Sequence, residues 1–325
     1  MPWVDVMAIL ITGVAGFVGV NLAQELLRHG QRIFGIDNLS RGTLENLTAL
    51  YGHANFSFAE VDITNLHNFQ STIRQFELTE KITEIWHLAA NSDIPAGVND
   101  STVDLKDTFM TTFNTLLVMK EFGIKSLAFA SSSAIYGDHG DVPLVENLGP
   151  LLPISNYGAM KLASEAAISA AAESYLSSAF IFRFPNVIGI PATHGVMLDF
   201  VRKLKSKPRE LDVLGNGGQQ KGYLHVEELV DAMLFIRNHS QEKVSVYNIG
   251  ADDEGVTVKF IAETTVKAVS PQAQIVYGEG NKGWVGDVPK FVYSIDKLKK
   301  LGWTPKLGSE QAVLKAIQQI VTQES

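Results

Sequence analysis

An apolar run that ends in regularly spaced glycines constrains this chain more than any other stretch. Ile9, Leu10 and Ile11 lead through Thr12 into Gly13, Gly16 and Gly19, spaced three and three, and an amphipathic segment then runs over 17–28. The apolar run predicts a buried strand and the later spacing a helix, with the glycines in the tight turn between them. One glycine in such a turn takes positive φ, a second lets backbone N–H groups approach a pyrophosphate, and a third lets helix and strand pack closely. Phe17 and Val18 fall in the first helical turn, facing that anion. A glycine-rich turn kept only for tight packing has the same pattern, so the neighbouring strand decides between the two readings.

That strand ends in Phe34-Gly35-Ile36-Asp37, which puts a carboxylate 24 residues after Gly13. An acid at this distance accepts both ribose hydroxyls of NAD. A 2′-phosphate would meet Asp37 unfavourably, so NAD is expected over NADP, with Arg41 nearby moderating the preference.

The first half of the chain repeats this alternation. Short β-branched runs at 7–12, 32–37, 55–61, 84–88, 126–130 and 179–183 read as strands, and 17–28, 66–76, 104–122 and 156–174 as helices. The strands are too continuously apolar for a sheet with one wet face, so helices are expected on both sides. The fold class is therefore α/β: a Rossmann-type doubly wound parallel sheet followed by a smaller C-terminal α/β lobe. We place the nucleotide-binding domain at 1–185 and the second lobe mainly at 186–325, with the run 244–249 returning to the main sheet and terminal helices near 298–301 and 312–320.

Composition narrows the chemistry. The 325 residues carry 27 Lys and Arg against 35 Asp and Glu, a net charge of −8, which suits no partner made of many phosphates, so nucleic acid is not expected. The absence of cysteine rules out thiol nucleophiles and thiolate metal sites, and a reducing, cytoplasmic location is expected. The most lipid-like stretch, 6–20, is short for a bilayer and broken by glycine, so no membrane association is expected. The eight histidines show no paired zinc spacing, and no metal is expected. His87 reads as packing near the cofactor, and His194 and His225 as surface or lobe-packing residues.

Tyr157 and Lys161 stand four apart, hence on one helix face. A nearby ammonium stabilises a phenolate, which predicts a lowered Tyr157 pKa and a phenol able to take an alcohol proton as hydrogen leaves the same carbon. Ser132 follows a predicted strand, where side chains meet bound ligand, and its hydroxyl is placed to orient the reacting oxygen.

In this chain order, these residues resemble the extended short-chain dehydrogenase/reductase family, within it the NAD-dependent nucleotide-sugar epimerases and dehydratases, and are similar to UDP-glucose 4-epimerases. The resemblance covers nearly the whole chain: Gly13–Gly19, Asp37-Asn38-Leu39-Ser40, Asp62-Ile63, His87-Leu88-Ala89-Ala90, the run from Ser131 to Gly137, Tyr157 with Lys161, the run from Arg183 to Gly189, the run from Gly215 to Lys221, Tyr247–Gly250 and Gly286-Asp287-Val288-Pro289. It implies that Asn38, Ser40, Asp62, Ile63, Leu88, Ala89 and Ala90 join the cofactor site. Ser133, Asn186, Lys221, Trp284 and Asp287 would then face a nucleotide-diphosphate sugar.

The implied reaction inverts a sugar hydroxyl through a transient 4-keto sugar, with Tyr157 as base, Ser132 bridging, and Lys161 holding the cofactor ribose. It also implies a homodimer in which helices 104–122 and 156–174 of each subunit form a four-helix bundle. The chain departs from the family where Lys221 and Trp284 stand at positions commonly arginine, exchanging a bidentate fork for a point charge and for a stacking ring. It departs again where Ser133 and Ala134 replace the Asp-Glu pair of the 4,6-dehydratases, which disfavours loss of water. A net nucleotide-sugar dehydrogenase and a non-catalytic NAD-binding regulator stay open as alternatives.

Overall fold

The computed structural model describes residues 8–280 and 292–325. In chain order the first part comprises β1 (Ala8–Thr12), α1 (Phe17–Arg28), β2 (Arg32–Asp37), β3 (Phe56–Glu60), α2 (Leu66–Glu77), β4 (Ile82–His87), α3 (Ile94–Asn99), α4 (Ser101–Asp104), a π-helical stretch Leu105–Met110, α5 (Thr111–Phe122), β5 (Ser126–Ser132), α6 (Asn156–Ser174) and β6 (Ser178–Phe184). The remainder comprises β7 (Asn186–Ile188), α7 (Val196–Ser206), β8 (Glu210–Val213), β9 (Gln220–Lys221), β10 (Tyr223–His225), α8 (Val226–His239), β11 (Val244–Asn248), β12 (Val256–Thr257), α9 (Val258–Val269), β13 (Gln274–Tyr277), α10 (Asp296–Leu301) and α11 (Ser309–Gln323).

Seven strands form one sheet in the order β11-β6-β5-β4-β1-β2-β3, and the pairings from β5 through β4, β1 and β2 to β3 run parallel. This is the doubly wound sheet the alternation predicts. All five residues of β1 are buried, which explains its unbroken apolar sequence. On one face Leu10, Phe34, Ile85, Leu127 and Phe129 share a core with Phe69 and Ile73 of α2, Val118 and Met119 of α5, and Ile168 of α6. The run at 244–249 does join this sheet, as β11 beside β6.

The chain folds as two compact units. The first holds Met1–Gly137, Pro150–Arg183 and Met233–Tyr247; the second holds Asp138–Gly149, Phe184–Ala232 and Asn248–Ser325. The second has its own core, in which Leu198, Phe200 and Val201 of α7 meet Leu211, Ile261, Val313 and Ile317. Its strands pair in twos, β7 with β10, β9 with β12 and β8 with β13. Among the described residues no helix is long and apolar enough to cross a membrane.

One element differs from the sequence reading. The single helix expected over 104–122 is instead α4, a π-helical stretch and α5. Threonine hydroxyls bond back along this stretch: Thr111 Oγ1 donates to the carbonyls of Asp107 and Thr108, and Thr112 Oγ1 to that of Thr108. Such back-bonding competes with the regular i to i−4 ladder, and apolar periodicity carries no trace of it.

Candidate active site

Parallel strands bring their carboxyl ends to one edge, where ligands of open α/β sheets settle. Thr12, the last residue of β1, lies opposite Ile36 of β2 and His87 of β4. Gly13 follows with φ 75°. A Cβ on Gly13 would lie 2.8 Å from the Ala89 nitrogen, and one on Gly19 would lie 2.2 Å from the Gly13 oxygen, so a side chain fits at neither. Gly16 N donates to Gly13 O at 3.1 Å, and Gly16 then caps α1 with no side-chain hydrogen bond. The first-turn N–H groups of Phe17, Val18 and Gly19 lack intrahelical acceptors, as at any helix start, and the helix dipole adds partial positive charge there.

Asp37 closes β2. Its Oδ2 accepts from Ala15 N at 3.0 Å and its Oδ1 from Leu39 N at 2.8 Å. The carboxylate thus pins the glycine turn to the second strand, a structural duty beyond the expected ribose contact. Burial pushes its pKa up, and backbone N–H groups of Leu39, Ala15 and Asn38 work against that rise. Leu39 holds φ 57°, a conformation that non-glycine residues keep mainly at functional turns. Asn38 Oδ1 accepts from both the N–H and the hydroxyl of Ser40. Arg41 Nη2 is paired with Asp93 Oδ2 at 2.6 Å. Asp62 Oδ1 accepts from Thr64 N and Oγ1, beside the buried Ile63. Leu88 N donates to Thr12 O and Ala89 N to Thr12 Oγ1, which ties the start of the Leu88-Ala89-Ala90 segment to the glycine turn. A tight glycine cradle, an uncapped helix start and a strand-end acid fit a dinucleotide.

The candidate reactive side chains stand on α6 and at the end of β5. Ser155 Oγ caps α6 by accepting from Gly158 N at 3.1 Å, and a Cβ on Gly158 would lie 2.4 Å from Ala134 O, so the helix start packs closely on the segment after β5. Three consecutive serines there take different tasks because strand side chains alternate. Ser131 points inward and donates to Glu165 Oε1. Ser132 Oγ accepts from Ala134 N at 3.2 Å, and its hydroxyl is near enough to the Tyr157 phenol to favour the ionised form. Ser133 is half-buried. Lys161 is only 2% exposed; its Nζ donates to Ala130 O at 2.6 Å and lies 4.7 Å from the Phe129 ring centre and 5.8 Å from that of Tyr157.

The electrostatics correct one expectation. Burial pushes the Tyr157 phenol up to about 12, with the neighbouring Ser132 hydroxyl pulling back and the Asp104 charge pushing further. Burial also pulls Lys161 down to about 7, against the charges of Glu165 and Asp104. A lysine so desolvated is half discharged near neutral pH, so desolvation outweighs the expected lowering of the phenol by its neighbour. His87 is held neutral: burial, then the Lys161 charge, bring it to about 3. Its Nδ1 lies 2.7 Å from Thr12 Oγ1 and its Nε2 3.1 Å from Thr112 Oγ1, and its ring stacks on Phe129, the packing role the sequence indicated.

Sequence reasoning missed Glu165 and gave Arg183 no role. Tyr157, Lys161 and Glu165 extend the same spacing of four, which was the available signal. Arg183 grips Glu165 with two parallel hydrogen bonds, Nε to Oε1 at 3.0 Å and Nη2 to Oε2 at 2.6 Å, while Nη1 donates to Tyr136 OH at 3.0 Å. The structure therefore gathers the catalytic and cofactor candidates in the first unit. Asn186 and Lys221 belong to the second, where Asn186 Nδ2 donates to Gly222 O and Lys221 pairs with Val256 across β9 and β12. His225 is buried there with Nε2 2.9 Å from Gln319 Oε1, and His194 is exposed. Trp284 and Asp287 lie outside the described residues.

A folded-state lysine pKa near 7 against an ordinary 10.5 makes the ammonium a burden on the fold below about pH 7. Between these values the unfolded chain binds more protons, so wild-type stability rises with pH across that window. Lys161→Met is expected to raise the unfolding free energy by about 1–4 kcal/mol near pH 6, with the gain shrinking toward pH 10. Denaturant unfolding at both pH values checks this, and a loss of stability near pH 6 would contradict it.

Comparison with known proteins agrees with this geometry. Residues 9–250 match the model of the NAD dependent epimerase/dehydratase family. The chain is 28% identical over 314 residues to a UDP-glucuronate 4-epimerase of Thermodesulfobacterium geofontis, covering 95% of this chain and 94% of that one. It is 28% identical over 324 residues to a UDP-glucose 4-epimerase of Corynebacterium glutamicum, covering 92% and 91%. Among solved structures, the UDP-glucose 4-epimerase of Thermotoga maritima with UDP-glucose superposes with TM-score 0.85 at 27% identity, covering 98% of this chain and all of that one. The Thermus thermophilus UDP-glucose 4-epimerase in complex with NAD gives TM-score 0.83 at 26% identity, covering 97% and 99%. With well over half its length matched and the cradle for its cofactor NAD in place, the chain belongs to the NAD dependent epimerase/dehydratase family.

Proposed function

We propose that this protein is a nucleotide-sugar 4-epimerase that inverts a sugar hydroxyl through a 4-keto sugar, with Ser132, Tyr157 and Lys161 as its reacting set. The observation that carries the reading is the buried Lys161, its Nζ 5.8 Å from the Tyr157 ring centre, in the same unit as Ser132 and the glycine cradle. The names of the relatives support UDP-sugars as the substrate class. NAD, when bound oxidised, supplies a hydride acceptor and a positive charge. Any cation close to the phenol favours its ionised form and works against the burial that holds Tyr157 up. Ser132 orients the sugar oxygen, and Tyr157 takes its proton and later returns one to the keto oxygen. The high resting pKa suits that second, acidic half of the cycle. Lys161 hydrogen-bonds the cofactor ribose. Asn186 and Lys221 hold the diphosphate, Lys221 as a point charge.

Ser133 and Ala134, where a dehydratase needs an acid and a base, favour epimerisation over loss of water. A net dehydrogenase would use the same tyrosine and is separated by its products. Incubation with UDP-glucose and UDP-glucuronate is expected to give products of unchanged mass and no accumulating NADH. Loss of water, stoichiometric NADH, or no turnover across a wide panel would favour dehydratase, dehydrogenase or regulator. Tyr157→Phe is expected to lower kcat at least about 10²-fold with NAD affinity nearly unchanged; wild-type turnover would remove the proton-transfer role.

The Arg41–Asp93 pair supports NAD over NADP, because it engages the cation that follows the ribose acid most closely in sequence. Asp93→Ala is expected to narrow the ratio of NADP to NAD dissociation constants by about tenfold, and an unchanged ratio would detach Arg41 from cofactor choice. The alanine also removes the α3 cap to Ala96 N, a modest cost to stability that is read separately by thermal unfolding.

The family's dimer is proposed here too. Leu105, Phe113 and Leu117 are 48%, 42% and 37% exposed on the stretch leading through α5, an apolar surface that a second copy would cover in a four-helix bundle with α6. Sedimentation velocity is expected to give a dimer that Phe113→Glu dissociates; a wild-type monomer would contradict this.

A further inference from the structure

Asp104 is fully buried at the end of α4, directly before the π-helical stretch, and the reaction as proposed does not use it. Its Oδ1 accepts from Asn91 Nδ2 at 2.9 Å and from Thr108 Oγ1 at 3.4 Å. Its Oδ2 is buried and accepts from none of the described residues. A carboxylate oxygen left so is costly unless a charge nearby compensates it.

The seat of that oxygen is tight. A Cβ on Gly97 would lie 1.7 Å from Oδ2, so the carboxylate fills space that only a glycine leaves. Gly97 O in turn accepts from Asn156 Nδ2 at 2.8 Å, and Asn156 immediately precedes Tyr157. The carboxylate and the start of α6 are therefore held against the same residue. Stretches of π-helix recur where a helix serves a functional site.

Several charges bear on this carboxylate. From α6 come Lys161 and Tyr157, both of which register its charge; Asp93 opposes it from the cap of α3, and Asp107 lies on its own helical segment. Lys161 also faces Glu165 on α6 and His87 on β4. Since Arg183 already engages both oxygens of Glu165, Asp104 is the carboxylate near Lys161 with a spare oxygen.

We propose that Asp104 is a positioning residue for the reaction: its buried carboxylate keeps the Lys161 ammonium charged and in place beside Tyr157. This rests on the roles given above to Tyr157 and Lys161. It goes further in assigning to the desolvated lysine a second carboxylate charge, besides that of the Arg183-paired Glu165. A purely structural role, tying Asn91 and Thr108 to the helix, is the competing account.

Asp104→Asn separates the two, because an amide oxygen still accepts from Asn91 and Thr108 while the charge is gone. The lysine can be read without substrate or cofactor, from the 13Cε resonance of labelled lysine followed against pH and assigned by its loss in Lys161→Met. The proposal expects a wild-type midpoint near 7, moved down by roughly one unit in Asp104→Asn. In turnover assays both limbs of the pH–rate profile move to lower pH together, since the same charge acts on Tyr157. Unmoved limbs and an unmoved lysine, with or without lower activity, would overturn it. If Asn folds poorly, Asp104→Ser carries the same expectations. A shifted lysine in a protein without epimerase activity would sink the reaction assigned above while leaving the charge coupling intact.

Discussion

Everything in this molecule depends on keeping ionisable groups out of water at the carboxyl edge of a parallel sheet. A phenol, an ammonium, an arginine–glutamate pair and a neutral imidazole lie within or against β4, β5, β6 and α6, where apolar side chains surround them. Removing a charge from water is unfavourable unless partners replace the solvent. The partners are visible: Ala130 O for Lys161, two parallel hydrogen bonds between Arg183 and Glu165, and threonine hydroxyls on both nitrogens of His87. Where replacement falls short, the protonation states shift, and the high phenol and low ammonium result. Lys161 is moved toward neutral pH and Tyr157 away from it, so a phenol that is to take a proton there needs a cation beside it.

The cofactor half works by a different economy of means. Backbone does most of it: a glycine turn too close for side chains, a helix start without a cap, and a strand-end carboxylate that fastens the turn to its neighbour. Because Asp37 is both fastener and expected ribose acceptor, sequence change there is constrained from two directions. Family members that epimerise and members that dehydrate can share all of this, since fold and cofactor cradle do not choose the reaction. On the proposed reading the choice falls to Ser133 and Ala134, which stand where the 4,6-dehydratases carry an acid pair.

Much of this was legible in the sequence because it rests on local patterns. Buried parallel strands are unbroken apolar runs, and amphipathic helices repeat at 3.6 residues, so α1, β2 and α6 were read to the residue. Tyr157, Lys161 and Ser132 were singled out through spacing and chain order, and the fold brings them into one unit. The failures were in three-dimensional terms. The π-helical stretch between α4 and α5, and the threonine back-bonding within it, leave no mark on periodicity. Net electrostatics cannot be read from neighbours four apart, because the penalty depends on how much solvent each group loses, and that reversed the expected shift of Tyr157. Asp104 carried no motif at all; its meaning comes from a glycine and an asparagine brought against it by folding.

The central claim is that one pocket oxidises a sugar carbon and reduces the same carbon from the other face before the sugar departs. The most direct measurement uses a UDP-sugar carrying deuterium on carbon 4, with product configuration and isotope content read by NMR and mass spectrometry. The account predicts an inverted C4 centre that keeps its deuterium in ordinary water. Product that has lost the label to solvent or to added cofactor, or an oxidised sugar with no inverted partner, would contradict it.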